Sequence, residues 1–376
     1  MKVAVVSHAC AVDVNQRLYA ELAKRPHAEV LLVAPKAWRA STGRLVHFKP
    51  LEGGQFLSQA LPVWGAGQIS LHLYRGLAAA LAEFAPDLLY LDEEPYGLPA
   101  WQALRASRRL RVPLAVCPNQ NLVKSHPWPF SAVERRVLDA ASLATPITEE
   151  CAQVLELKHF TGRVAIVPYP VDTDLFRPDP QPELRQEMRV EGRAVGFVGR
   201  LSEAKGVMDL MRAAELLWDA GGLDFSLVFV GDGPLREQLQ ARGKAQADRH
   251  VALVGSVPHL SAPRYINALD VLVLPSRTTP RWKEQFGRVL IEALACGVPV
   301  IGSDSGHIPR LIEETGGGLV FAEGDTEALA EALRHLLSDT EDAARKAEQG
   351  REVILQQYAV PRVAEKLHEA LRAALG

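Results

Sequence analysis

Short apolar runs recur along the chain, separated by stretches whose apolar positions fall three and four apart. KVAVVSH is followed by NQRLYAELAKR, AEVLLVAP leads on to LHLYRGLAAALAEF, and DLLYLDEE, PLAVCPN, SLATPIT and RVAIVPYP come after. The strand-like runs are continuously apolar rather than alternating. That predicts strands covered on both faces, as in a parallel sheet with helical crossovers. One doubly wound α/β unit is therefore expected over residues 1–170. The alternation restarts with AVGFVGR, MDLMRAAELLWDA, FSLVFVGDG, PLREQLQARG, VALVGSV, YINALDVLVLPS, RVLIEALACG and VPVIGSD, predicting a second unit over 184–358. The tail VPRVAEKLHEALRAALG, apolar at helical spacing, predicts a terminal helix over 360–376 that packs back near the first unit.

Between the two units, PYPVDTDLFRPDPQPE (168–183) carries five prolines, a density that neither a helix nor a central strand accepts. It predicts a stiff linker, and two such units predict a ligand cleft at the carboxyl ends of their sheets. The 376 residues suit two domains, and 48% hydrophobic with 23% charged residues is ordinary globular usage. A net charge of −3 gives no whole-molecule field for nucleic acid, so an anionic ligand has to be gripped locally. Cys10, Cys117, Cys151 and Cys296 form no CxxC pair and predict buried thiols in a reducing compartment. The apolar N-terminal run is too short for a signal peptide and no membrane-length apolar run occurs, so the expectation is a cytoplasmic chain.

The stretch EQFGRVLIEALACGVPVIGSD (284–304) carries the strongest chemical pattern. Gly287 precedes a helical run that Gly297 stops, and the first turn of a helix offers unpaired N–H groups and about half a positive charge. A glycine there lets a phosphate oxygen approach the backbone. Glu292 lies five residues on, roughly 7 to 8 Å along the axis, about the span from a diphosphate to a ribose whose hydroxyls a carboxylate accepts. Glu284 precedes the helix and would face the other end of the ligand. A carboxylate at a helix start and a solvated carboxylate on an amphipathic face explain the same two residues without a ligand.

Glu284 and Glu292 stand in a pattern that resembles the E-x7-E signature of retaining glycosyltransferases of family 4, enzymes of the two-domain GT-B fold. VGRLSEAKGVMDL, VGDGPLREQL, VALVGSVPHL and ALDVLVLPS agree with that family in order and spacing, and VPYPVDTDLFRP resembles its linker. The likeness covers most of the second half; in the first half only the architecture and QNLVKSHPWPFSAVERRVL are similar. The resemblance implies transfer of a sugar, with retention, from a nucleoside-diphosphate donor to an acceptor hydroxyl. It implies that Arg200 and Lys205 hold the donor diphosphate and that Glu284 faces the sugar. Gly199, Val257, Phe286, Gly287, Arg288, Val289, Leu290 and Glu292 would line the rest of the donor site. No cofactor or metal is implied: two cations and a helix terminus neutralise the leaving diphosphate as its charge develops.

Other features weigh less. Asp172 and Asp174 form a D-x-D by pattern, but inside the linker motif. GDGP (231–234) reads as a strand-to-helix turn with Asp232 capping the next helix. Relatives commonly have two glycines after the first strand, where this chain has SHACAVDVNQ, and many have a histidine near the sugar after a strand of the first unit, where this chain reads AVCPNQN. His8 and His126 are candidates for that histidine in sequence terms only, and either is more often structural or on the surface. His307 and Arg310 depart from the family pattern without an account from sequence. DEEPYG (92–97) reads as solvated acids or an acceptor site, with solvated acids favoured. The basic loop RTTPRWK (277–283) reads as a sugar or acceptor contact or as solvated loop. HPWPF beside ERR reads as core packing or as a peripheral contact with an anionic membrane. Rival activities are a GT-B nucleotide-sugar epimerase and a non-catalytic sugar-nucleotide binding module. A nicotinamide dehydrogenase is a further rival that lacks its motif, since SHACAVDVNQ has no glycine and GDGPLR lacks the third of G-x-G-x-x-G; failure to bind NAD would dispose of it.

Overall fold

The computed structural model describes residues 1–39, 43, 45–246 and 249–375; Gly376, the end of the expected terminal helix, lies outside them. The chain forms two compact units, Met1–Pro170 with Val360–Gly376, and Val171–Ala359.

The first unit is built on β1 (Lys2–Val6), β2 (Glu29–Pro35), β3 (Leu57–Leu61), β4 (Leu88–Leu91), β5 (Leu114–Val116), β6 (Ala141–Ala144) and β7 (Arg163–Val164). They lie in the order β7-β6-β5-β4-β1-β2-β3 and pair in parallel. Side chains alternate across a strand, and here both faces are apolar. Val3 and Val5 pack with Leu22, Leu367 and Leu371, whereas Ala4 and Val6 pack with Leu81, Leu104 and Val137. Leu22 lies on α1 (Arg17–Ala23) and Leu104 on α2 (Leu98–Leu110). Burial on both faces is why these strands read as continuous apolar runs. The segment LHLYRGLAAALAEF is not helical throughout: Leu73–Tyr74 pairs antiparallel with Val63–Trp64, and the helix spans only Leu77–Phe84.

The second unit has β8 (Arg193–Val198), β9 (Phe225–Val230), β10 (Val251–Gly255), β11 (Val271–Leu274), β12 (Val300–Ser303) and β13 (Gly318–Phe321), in the order β10-β9-β8-β11-β12-β13 and again parallel. The helices that bear on its site are α3 (Val207–Ala220) and α4 (Arg288–Ala295). The chain then returns to the first unit through α5 (Val360–Ala373), which packs on α1 and carries Leu367 and Leu371 into that unit's core. Asp232 does not cap the next helix. Its Oδ1 accepts from the N–H of Gly233 at 2.7 Å, closing its own turn, and the helix begins later, at Arg236. All four cysteines are free and buried.

Candidate functional site

The parallel order of β8, β11 and β12 puts their carboxyl ends side by side, so the loops that follow gather the predicted site residues at one edge of the sheet. Lys205 ends a 3-10 turn, Glu203–Lys205, before Gly206. Gly206 has φ +63°, and a Cβ there would lie 1.7 Å from the carbonyl oxygen of Pro275, so only glycine lets this loop dock on the loop after β11. The N–H of Arg277 donates to the carbonyl of Ala204 at 2.8 Å and completes the docking. Lys205 Nζ thereby comes 2.5 Å from Glu284 Oε2, which also accepts from Ser276 Oγ at 2.8 Å. Glu284 is 8% exposed, and the ring of Trp282 lies 5.0 Å from the Lys205 ammonium. This shielding makes the ion pair stronger than one in open water.

Gly287 adopts φ +82° and immediately precedes α4; a side chain there would be strained and would crowd Leu290 and Leu274. Phe286 and Leu290 are buried and anchor the helix start, with Val289 half-buried and Arg288 exposed. Phe286 stacks on His307, ring centroids 5.4 Å apart, which gives His307 the role that sequence alone did not supply. Arg310 donates to Glu314 at 2.6 Å along its own helix. Glu292 is half-buried, and loss of water lifts its carboxyl to about 7 against the opposing charge of Arg288. Arg200 is exposed and makes no hydrogen bond or ion pair among the described residues. Gly199 continues the β8 edge with its N–H on the carbonyl of Val230 at 2.9 Å, and Val257 is half-buried just beyond β10. The structure thus joins Lys205 to Glu284 and leaves Arg200 unpaired.

The basic loop after Ser276 is not a row of free cations. Arg277 grips the buried carboxylate of Asp209 on α3 with Nε at 2.6 Å and Nη2 at 2.5 Å. Asp172 Oδ1 accepts from the N–H groups of Asp174 and Leu175, the bonding of a turn.

A second constellation lies in the first unit, where sequence favoured solvated acids. β1 and β4 are neighbours with Val6 opposite Leu91, so the next residues of each strand also meet. Ser7 Oγ donates to Asp92 Oδ2 at 2.7 Å, and Tyr19 donates to the same oxygen at 2.8 Å. Glu93 turns the other way. Its Oε1 accepts from the N–H of His8 at 2.7 Å and from Tyr74 Oη at 3.1 Å, and its Oε2 lies 2.5 Å from His8 Nδ1. His72, fully buried, faces the carbonyl of Ile69 with Nδ1 at 2.9 Å and Glu93 Oε1 with Nε2 at 3.4 Å, a surrounding made only of acceptors. Gln102 of α2 clamps both backbone groups of Tyr74 and fixes this wall.

Three adjacent acids therefore differ. Burial alone would raise Glu93, but the charges and hydrogen bonds of His8 and His72 hold it at about 2. Burial lifts Asp92 despite its bonds from Ser7 and Tyr19, and lifts Glu94 to about 7 despite a backbone hydrogen bond from Asn119. His8 is raised, because Glu93, aided by Asp92 and Glu94, outweighs desolvation. The ligand-capable atoms of His8, His72 and Glu93 lie within 4.8 Å of one another, near enough to share a cation, but in this arrangement the carboxylate is occupied by hydrogen-bond donors. Sequence did not assemble this group. Its available signal was positional: SHAC and DEE both directly follow strands, and the doubly wound order makes those two strands neighbours.

Residues 181–353 match the family described as Glycosyl transferases group 1, and residues 11–170 match the Glycosyl transferase 4-like domain. The 2-deoxystreptamine glucosyltransferase of Streptomyces kanamyceticus is 31% identical over 306 residues, covering 79% of this chain and 75% of that protein. A GDP-mannose-dependent alpha-(1-6)-phosphatidylinositol monomannoside mannosyltransferase of Mycobacterium tuberculosis is 36% identical over 214 residues, 55% of each chain. Among solved structures, Anabaena HepE in complex with UDP aligns over 99% of this chain and 100% of its own, with TM-score 0.72 and 22% identity. A Rickettsia africae glycosyltransferase aligns over 100% and 98%, with TM-score 0.76 and 16% identity.

Proposed function

We propose a retaining, metal-independent mechanism for this chain, from the premise that it belongs to the glycosyl transferases group 1 family and is a GT-B glycosyltransferase moving a sugar from a nucleoside-diphosphate donor to an acceptor hydroxyl. The second unit is the donor domain and the first the acceptor domain. The observation that carries the mechanism is the Lys205–Glu284 pair, held by Ser276 and Trp282, in the loop that leads into Gly287 and α4. Donor binding exchanges the carboxylate partner of Lys205 for diphosphate oxygens, with Arg200 adding a second cation. Glu284 is released to the sugar hydroxyls. The N–H groups of the first turn of α4 hold the phosphates, and Glu292 accepts from the ribose, with Gly199, Val257 and residues 286–290 lining the site.

As the bond from the anomeric carbon to the β-phosphate breaks, charge collects on the departing oxygen, where fixed cations and a helix terminus stabilise it without reorganising. The acceptor oxygen forms its bond on the face the diphosphate leaves, and the hydroxyl proton passes to that diphosphate. Lys205→Ala is expected to lower kcat by roughly 10² or more, the scale of one preorganised donor group. A purified Lys205→Ala enzyme with wild-type turnover would remove Lys205 from this role. The anomeric configuration of the product, read by NMR, tests retention separately. Screening UDP-, GDP- and ADP-sugars by thermal shift identifies the donor, since a ligand stabilises the fold by RT ln(1 + [L]/Kd).

No helix among the described residues is long and apolar enough to cross a membrane. The reading extends to a cytoplasmic enzyme that touches an anionic membrane face through Trp128, 82% exposed, and Val123, flanked by the exposed Lys124, Arg135 and Arg136. Sedimentation with anionic but not neutral vesicles, lost in Trp128→Ser, is the expected result.

A further inference from the structure

The donor chemistry leaves the His8–Glu93 group of the first unit unused. Burying a carboxylate costs several kcal/mol unless donors surround it. Here the backbone and ring N–H groups of His8 and the Tyr74 hydroxyl do so, with His72 Nε2 facing the carboxylate at 3.4 Å, and what the assembly fixes is one half-open side chain, His8, 19% exposed. The Nδ1 of that ring is committed to Glu93, so Nε2 is the atom left over, and it makes no hydrogen bond among the described residues. Trp38 lies 4.7 Å from the ring, and His72 meets it edge-on at 5.5 Å. The imidazole is thus held in plane with Nδ1 toward Glu93, the way a carboxylate orients a working histidine. It sits just past the carboxyl end of β1, where parallel sheets receive ligands.

We propose that His8 is the acceptor contact of the first unit: its Nε2 hydrogen-bonds a hydroxyl of the acceptor, with Glu93 as its positioning residue. This rests on the transferase reading above. It concerns binding, and the proton of the reacting hydroxyl still leaves with the diphosphate. A hydroxyl suits this nitrogen because it accepts from, or donates to, either protonation state of the ring.

Two near-isosteres separate binding from structure. Asn places its amide where Nδ1 lies, so His8→Asn keeps the bond to Glu93 and loses the atom at Nε2. Gln reaches the position of Nε2 and loses the bond to Glu93. With myo-inositol and methyl α-D-glucopyranoside as polyol probes, the Nε2 resonance of His8 in histidine-labelled wild-type protein is expected to shift, without any donor present. His8→Asn, which keeps the hydrogen bond to Glu93 and loses the ring's charge, is expected to lower Tm less than His8→Gln and to keep the donor-induced thermal shift but lose the polyol-induced one, while His8→Gln retains part of it. In turnover, His8→Asn raises the acceptor KM about tenfold, the loss of one hydrogen bond of about 1.4 kcal/mol. An unmoved Nε2 resonance with both polyols overturns the proposal, as does wild-type polyol binding by His8→Asn. Loss of Tm in His8→Asn equal to that in His8→Gln overturns it too, because the ring then serves folding. Because the resonance is read without turnover, failure of the transferase reading would show separately, as absence of donor cleavage by the wild type.

Discussion

In the unit Val171–Ala359 the cations of the proposed donor site sit in strand-end loops with a single carboxylate partner or with none among the described residues: Lys205 on Glu284, and Arg200 unpaired. In the unit containing β1 and β4 the corresponding edge holds Glu93, 3% exposed, with both oxygens taken by histidine and tyrosine donors. One arrangement is built to exchange partners and the other to keep them. A site for an anion needs cations that can let go of a carboxylate. A site that recognises a neutral hydroxyl needs one hydrogen-bonding atom held at a fixed place, which a saturated network supplies.

Breaking the saturated network should have the largest effect. Glu93→Ala leaves one ring nitrogen, a backbone N–H and a phenol without their acceptor and removes the charge that His72 faces, and the expected loss is about 3 to 5 kcal/mol, read as a lower denaturation midpoint at pH 7. The pH dependence follows from the depressed carboxyl. Glu93 titrates at 4.5 when unfolded and about 2 when folded, so its contribution is complete above 4.5 and disappears as pH falls through 2. The gap between wild type and Glu93→Ala should therefore narrow from pH 5 downward. A gap that stays constant to acid pH would mean that Glu93 acts through packing alone.

The donor side should respond in the opposite direction. Glu292 is raised from 4.5 to about 7 by desolvation, so ionising it in the fold opposes stability, with no penalty below 4.5 and the full one above 7. Glu292→Gln removes this term. At pH 8 the variant is expected to be more stable than wild type by up to about 3 kcal/mol and to bind donor more weakly, with the two proteins converging in stability near pH 4. Equal stability at pH 8 would show that water already reaches the carboxylate.

This contrast also explains what could be read from sequence. The residues proposed for the donor site, from Glu284 to Glu292, occupy one strand-end loop and one helix, so a fixed chain spacing carries their geometry. His8 and Glu93 are 85 residues apart and meet only once β1 is placed beside β4, and His72 arrives from a third segment. DEE looked like solvent-facing charge because three acids are contiguous, yet Asp92 and Glu93 turn to opposite sides of their strand and find separate partners. The pairing of Lys205 with Glu284, 79 residues apart, was hidden for a related reason: sequence reserved each for the ligand. The strands were legible because burial on both faces leaves continuous apolar runs. Local signals failed where a short ribbon interrupted a helical pattern at residues 73–74 and where Asp232 closed its own turn.

The smallest effect sharpens the comparison most, because it tests whether the donor-side cation is tuned as well as placed. Trp282 lies over the Lys205 ammonium at 5.0 Å and is held by the Thr279–Trp282 bridge, so it excludes water from one side of a charge that Glu284, itself held by Ser276, faces from another. A ring in that position contributes about 1 kcal/mol to a partly shielded cation. Trp282→Leu keeps the bulk and removes the ring's negative face; kcat is expected to fall about fivefold, the factor that such an energy sets, with little change in Tm. Trp282→Phe should recover most of that rate, since it restores an aromatic face over the same nitrogen. If leucine and phenylalanine behave alike, the ring works only as a lid, and Lys205 depends on its carboxylate partner alone.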